Sequence, residues 1–233
     1  PGFNLFSIHP PETVLSIGDR RKTIYVINEK ITLTPIKYGA LYNWYAASKN
    51  GGSGVGSIAP NGWHLPDENE ISDLITYIGG TSIGGAKLKD TDSAYWGNAD
   101  ANTNDYNFNL RGSGFRRYTG VFTDLMVVGR FCYYSVFRGM YVSTESDLLI
   151  LTGSNDGDTD GNPIRLIKNT SDWIEGETVT DYDGNVYPTC KIGDMVFMAS
   201  NLVVTHYNDG TIIPNVTDNS AWAALSTGAM CYY

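Results

Sequence analysis

Hydrophobic and polar positions alternate along this chain with two different periods, and the period changes mark its elements. After Asp67, apolar residues recur at Ile71, Leu74, Ile75 and Ile78, the i, i+3, i+4, i+7 spacing of a helix with one buried face. Asp67 stands where an N-cap belongs, and Glu70 three residues on completes a capping box. Gly79–Gly80 predicts the stop. A second, shorter helix is predicted near the end: Thr217 or Asp218 caps it, Trp222 and Leu225 face the core, and Gly228 closes it.

Elsewhere the pattern is that of short strands and turns. "TDYDGNVYPTCKIGDMVFMASNL" sets a DG pair between apolar runs, a hairpin signal, and "YNDGTIIP" offers another. "YGALYNWYAA" reads as a buried strand or short helix, "NGGSGVGS" as a loop, and "GWHLP" as a compact apolar turn. Residues 1–36 differ in texture. Their Pro pair and the β-branched runs "KTIYVI" and "KITLTPI" predict a connector or strand segment to an upstream module. Residues 37–233 are then one α+β domain with small antiparallel sheets and two helices.

Composition narrows the function. With 233 residues and 42% hydrophobic content the chain supports one sizeable core. Its formal charge of -9 repels phosphate backbones, so nucleic acid is not an expected partner. No apolar run reaches the ~20 residues of a membrane span. Cys132, Cys190 and Cys231 are odd in number and widely spaced, which argues against a disulfide scaffold or a zinc site, although one disulfide stays open. His9, His64 and His206 lack metal-ligand spacing, and no GxSxG elbow or phosphate-binding glycine loop is present. The expectation is a protein that is not an enzyme and holds no cofactor. Asp156, Asp158 and Asp160 alternate before Gly161 like the start of a calcium loop, but its twelfth position would be Ile167; a solvated turn is the simpler reading.

Several long motifs carry a resemblance. "YGALYNWYAA", "APNGWHLPDENEISDLITYIGG", "GGAKLK", "GNPIRLIK", "DYDGNVYPTCKIGDMVFMASNL" and "YNDGTIIPNVTDNSAWAALSTGAMCYY" resemble the Fibrobacter succinogenes major paralogous domain family over residues 37–233. The resemblance implies a C-type-lectin-like fold. Its two halves stand here in permuted order, either as one permuted domain, the favoured reading, or as parts of two repeats. "FCYYSVF" replaces a stretch the family usually keeps.

Such domains are similar to the variable proteins of diversity-generating retroelements, including phage tail-fibre tips. Those systems randomise the adenines of template codons, typically AAC or AAT, which cannot become Lys, Gln, Glu, Met or Trp. Arg117–Asp160 contains no Lys, Gln, Trp, Pro or His; Met126, Met140 and Glu145 would have to be fixed. This stretch is the candidate variable segment, 117–160. Its candidate ligand-binding residues are Arg117, Tyr118, Phe122, Asp124, Leu125, Val127, Arg130, Tyr133, Tyr134, Phe137, Arg138, Tyr141, Asp147, Leu149 and Leu151. Tyr, Phe and Arg bury much area per lost rotamer and keep a polar tip, which makes them effective anchors. Phe131 and Val136 are expected to point inward.

The resemblance thus implies a receptor-binding display domain on a virion tail fibre or a bacterial cell surface, meeting a host-cell surface protein or glycan receptor, as a homotrimer by analogy with fibre tips. The alternative is a fixed surface adhesive or structural module.

Overall fold

The computed structural model describes residues 37–134, 138–151 and 158–233. In chain order its elements are β1 (Leu41–Tyr42), α1 (Trp44–Ala47), β2 (Trp63–His64), α2 (Glu68–Tyr77), α3 (Gly84–Leu88), β3 (Ser113–Arg116), β4 (Phe122–Leu125) and β5 (Val128–Tyr133). There follow β6 (Arg138–Ser143), β7 (Ile150–Leu151), β8 (Ile167–Lys168), β9 (Thr178–Thr180), β10 (Val186–Ile192), β11 (Met195–Met198), α4 (Asn219–Ala223) and β12 (Met230–Cys231). The architecture is mixed α+β with antiparallel sheets. The connector expected at 1–36, Val136, Phe137 and Asp156 lie outside the described residues.

The central sheet has five strands in the order β2-β8-β11-β10-β9. It draws on both halves of the chain: Trp63 pairs with Lys168, and Phe197 with Ile167. The strand period of two explains its burial. Along β11, Val196 and Met198 enter one apolar cluster, with Tyr42, Trp63, Leu166 and Met230. Phe197, between them, enters a second cluster with Ile71, Leu74, Ile78, Phe131 and Cys190. The sheet is therefore buried on both faces, with α2 on one of them.

The helix expected after Asp67 forms. Asp67 accepts from the amides of Asn69 and Glu70, and Glu70 accepts in return from the Asp67 amide at 2.9 Å. The DG hairpin also forms, with Thr180 opposite Val186 and Gly184 at φ +85°. At the end of the chain Asp218, not Thr217, caps α4. That helix stops at Ala223, five residues before the expected glycine. Gly228 instead lets two segments touch, since a Cβ there would lie 2.3 Å from the Tyr207 hydroxyl and 3.1 Å from Ala46 Cα.

Two of the buried arginines, Arg165 and Arg116, act as internal ties. Arg165 donates to the carbonyls of Phe108, Met198 and Asn109 and to Asn201 Oδ1. Burial pushes its guanidinium down to about 9, which leaves it charged at neutral pH. Arg116 donates to the carbonyls of Gly120, Val216 and Thr217 and to Asn219 Oδ1, joining β3 to the start of α4. Finally, β1 pairs with β12, Leu41 opposite Cys231, so the two ends of the described body meet. The three thiols are free and buried.

Candidate functional site

The segment 117–160 does not form one surface. Arg117 and Tyr118 sit exposed in the turn joining β3 to β4, which Arg117 closes by accepting from the Gly120 amide at 2.8 Å. Phe122, Asp124 and Leu125 are half-buried on β4, where the Phe122 ring packs against Tyr233 at 5.0 Å. Val127 is exposed in the next turn, and Tyr141 is half-buried on β6 opposite Arg130. Asp147 is half-buried and pairs with the buried Lys89 at 3.0 Å, so its carboxylate holds the fold. Leu151 is exposed on the edge strand β7. Arg138 opens β6 with its backbone opposite Tyr133.

Three residues expected on the surface are buried instead: Arg130 at 4% exposure, Tyr133 at 1% and Leu149 at 2%. The reason is that β5 is covered on both faces. Phe131 and Tyr133 point into the α2 cluster, as expected for Phe131. Arg130, on the other face, lies over the Phe115 ring at 4.7 Å. Leu149 packs against α3 so closely that a Cβ on Gly84 would lie 2.8 Å from it.

What the structure does gather beside residues 158–162 is the stacked pair Trp44 and Tyr134, the Tyr45 ring and the backbone of Tyr118. This strap is held from three sides. Trp44 donates its amide to the Asp158 carbonyl at 3.0 Å, and Tyr42 and Asn162 exchange backbone bonds. Arg116 and Gly161 exchange two more, and Trp222 Nε1 donates to Thr159 O at 2.7 Å. On this base the Trp44 ring stacks on Tyr134 at 5.8 Å and 29°. The Tyr45 hydroxyl donates to Asp158 Oδ2 at 3.1 Å, and that bond is the main reason its phenol is held above the ordinary range. The Tyr118 amide donates to Asp160 Oδ1 at 2.5 Å. Tyr118 and Tyr134 remain exposed, while Trp44 and Tyr45 are half-buried.

Sequence reasoning missed Trp44 and Tyr45 because they fall in the apolar run "YGALYNWYAA". The available signal was Asn43, which caps α1 by accepting from the Ala46 amide and so ends β1 just before the two aromatics. Asp158 and Asp160, read from sequence as part of a calcium-like alternation, are engaged with Tyr45 and Tyr118. Among the described residues no group of three His, Cys, Asp or Glu side chains is placed to hold a metal.

The two described histidines have structural partners. His64 lies 2.7 Å from Asn169 Oδ1 through Nδ1 and 3.0 Å from Glu70 through Nε2. His206 Nδ1 lies 2.6 Å from Asp183 Oδ1. Asp183 is held below the usual carboxylate range: burial pushes it up, but bonds from Thr205 and His206 outweigh that. No described helix is long and apolar enough to cross a membrane.

Compared with known proteins, residues 11–136 match the family model described as the Fibrobacter succinogenes major domain. The match runs through β5 and so includes Tyr118 and Tyr134, as well as part of the 1–36 stretch. No curated protein and no solved structure matches the chain.

Proposed function

The chain belongs to the Fibrobacter succinogenes major domain family, and on that premise we propose that it is a non-enzymatic recognition domain of C-type-lectin-like fold. Its binding face is the aromatic row Trp44, Tyr45, Tyr118 and Tyr134 with Asp158. The observation that carries this reading is the Trp44–Tyr134 stack, with Tyr134 exposed and Trp44 half-buried beside the 158–162 strap. Accessible rings that are already immobilised lose little entropy on binding, which suits an anchor. The fold assignment draws support from the mixed α+β architecture and its antiparallel sheets.

The partner of this face is a host-cell surface protein or glycan, met from a tail fibre or a bacterial surface. A single face of four aromatics binds weakly, so a trimer would gain by avidity. The test is binding of the purified, artificially trimerised domain to a panel of bacterial cells, read by flow cytometry. Saturable binding lost in both Trp44→Ala and Tyr134→Ala supports the assignment. Binding that survives both substitutions places the face elsewhere.

A specific observation favours the second reading, a fixed adhesive module. Arg130, Tyr133 and Leu149 lie within the candidate variable segment and are buried. Free randomisation there would damage the core.

A further inference from the structure

A separate cavity of about 350 Å³ opens where Lys37 enters the described body. It shares no lining residue with the aromatic row. That volume falls within the range of small-molecule sites. Two cations line it, Lys37 and Arg111, and no carboxylate does. In a chain of formal charge -9, both charged side chains of this lining are basic.

The construction is rigid. Arg111 donates from one terminal nitrogen to the Lys37 carbonyl at 2.8 Å and from Nε to Asp90 at 3.1 Å. Its guanidinium also lies over the Tyr95 ring at 3.7 Å, and the Lys37 ammonium lies 5.4 Å from the centre of the same ring. Asp90 balances one of these charges. Among the described residues no carboxylate pairs with Lys37; Asp181 stands behind the opposite wall, accepting from the lining residues Asn185 and Tyr187. The floor is set by Asn201, whose Nδ2 donates to the Tyr38 carbonyl at 2.7 Å. Gly39 makes that approach feasible: it sits at φ +84°, and a Cβ there would lie 2.3 Å from Asn201 Cβ. Asn185 and Ser200 add neutral polar groups to the lining, and Val186 and Tyr38 add apolar surface.

We propose that this cavity is a binding site for a small organic carboxylate about the size of one acidic sugar ring, its carboxylate held by Lys37 and Arg111. Two basic side chains on one pocket lining favour an anion, the neutral polar lining suits ring hydroxyls, and the apolar wall suits the face of a ring.

The test is an NMR titration of the full chain with glucuronate, with glucose as the neutral counterpart. The expected result is a saturable shift of amides around Lys37 and Asn201 with glucuronate alone, weakened by added salt. Lys37→Gln is expected to weaken it at least tenfold. Val186→Glu, which sets a negative charge at the exposed lip without touching the hydrogen-bond framework, should do the same. Absence of saturation, equal shifts with glucose, or unchanged affinity in both variants would overturn the assignment. Loss of cell binding through the aromatic row would leave it standing, because the two sites share no residue.

Discussion

Arg165 donates from Nε to Asn201 Oδ1 at 2.5 Å, and Asn201 in turn donates to the Tyr38 carbonyl. One buried cation thus fixes the amide that supports the backbone at Tyr38. Arg165 also holds the 108–109 backbone against Met198. Arg165→Met removes the charge and leaves those acceptors without it. The expected cost is about 3 kcal/mol or more, because unsatisfied buried acceptors are expensive. Urea denaturation measures it, and a loss below about 1 kcal/mol would show that water replaces the guanidinium.

Gly39→Ala should destabilise by more than about 2 kcal/mol, from the left-handed backbone and the collision with Asn201 together. Gly51 is the matched control. It also has positive φ, but no atom lies within 4 Å of the point a Cβ would occupy, so Gly51→Ala should cost only the backbone contribution. Equal losses at the two sites would mean that the contact with Asn201 relaxes.

His64 should titrate above its ordinary value of 6.5. Burial pulls it down, but the bonds to Glu70 and Asn169 and the charge of Glu70 outweigh burial. Because the folded value is the higher one, its contribution to stability is fully present below about pH 6.5 and is lost as pH rises through the folded value. NMR titration of the imidazole checks this. Glu70→Gln should lower the midpoint, and an unmoved midpoint would remove Glu70 as the cause.

Alkali should unfold the domain from the inside. Burial pushes the Cys132 and Cys190 thiols up to about 12 and that of Cys231 to about 11, from an ordinary 9.0. Below about pH 9 the thiols are neutral whether folded or not, and their contribution is intact. Above it the unfolded chain ionises first, so stability falls as pH climbs from about 9 towards 12. A urea midpoint that drops between about pH 8 and pH 10.5 is expected, with no reaction of native thiols with Ellman's reagent at about pH 8 and reaction of all three after unfolding. Rapid labelling of the native protein would contradict the burial.

If the 117–160 segment is diversified, the pattern must follow exposure. Sequencing its codons across a population should find substitutions at Arg117, Tyr118, Val127, Tyr134 and Leu151, which are exposed. Phe131, Tyr133, Met140, Val142 and Leu149, all buried, should stay constant or change only among apolar residues. Variation spread evenly over both sets, or none at all, would favour the fixed module.

The elements written in short-range chemistry were legible in the chain. Asp67 with Glu70, the Asp183–Gly184 turn and Asp218 each specify a local geometry through neighbours a few residues away. Exposure was not legible in the same way. Arg130 and Tyr133 read as surface anchors because they are polar-tipped, yet what covers them comes from Phe115 and from α2, far along the sequence. The aromatic row was half visible. Tyr118 and Tyr134 stood out, but their grouping with Trp44 and Tyr45 depends on a strap that lies far from α1 along the chain. The Lys37–Arg111 cavity has the same character, since its walls come from four separate stretches of chain.

The pairing of β1 with β12 has a mechanical consequence. It is a two-residue antiparallel ladder, and the chain enters and leaves on the same side of it. Tension applied between Leu41 and Cys231 would therefore open this pair one bond at a time, as a zipper opens, rather than shear both bonds together. A domain tethered by one end alone never loads that seam. Held by a single tether, the domain leaves the β1–β12 pair unloaded.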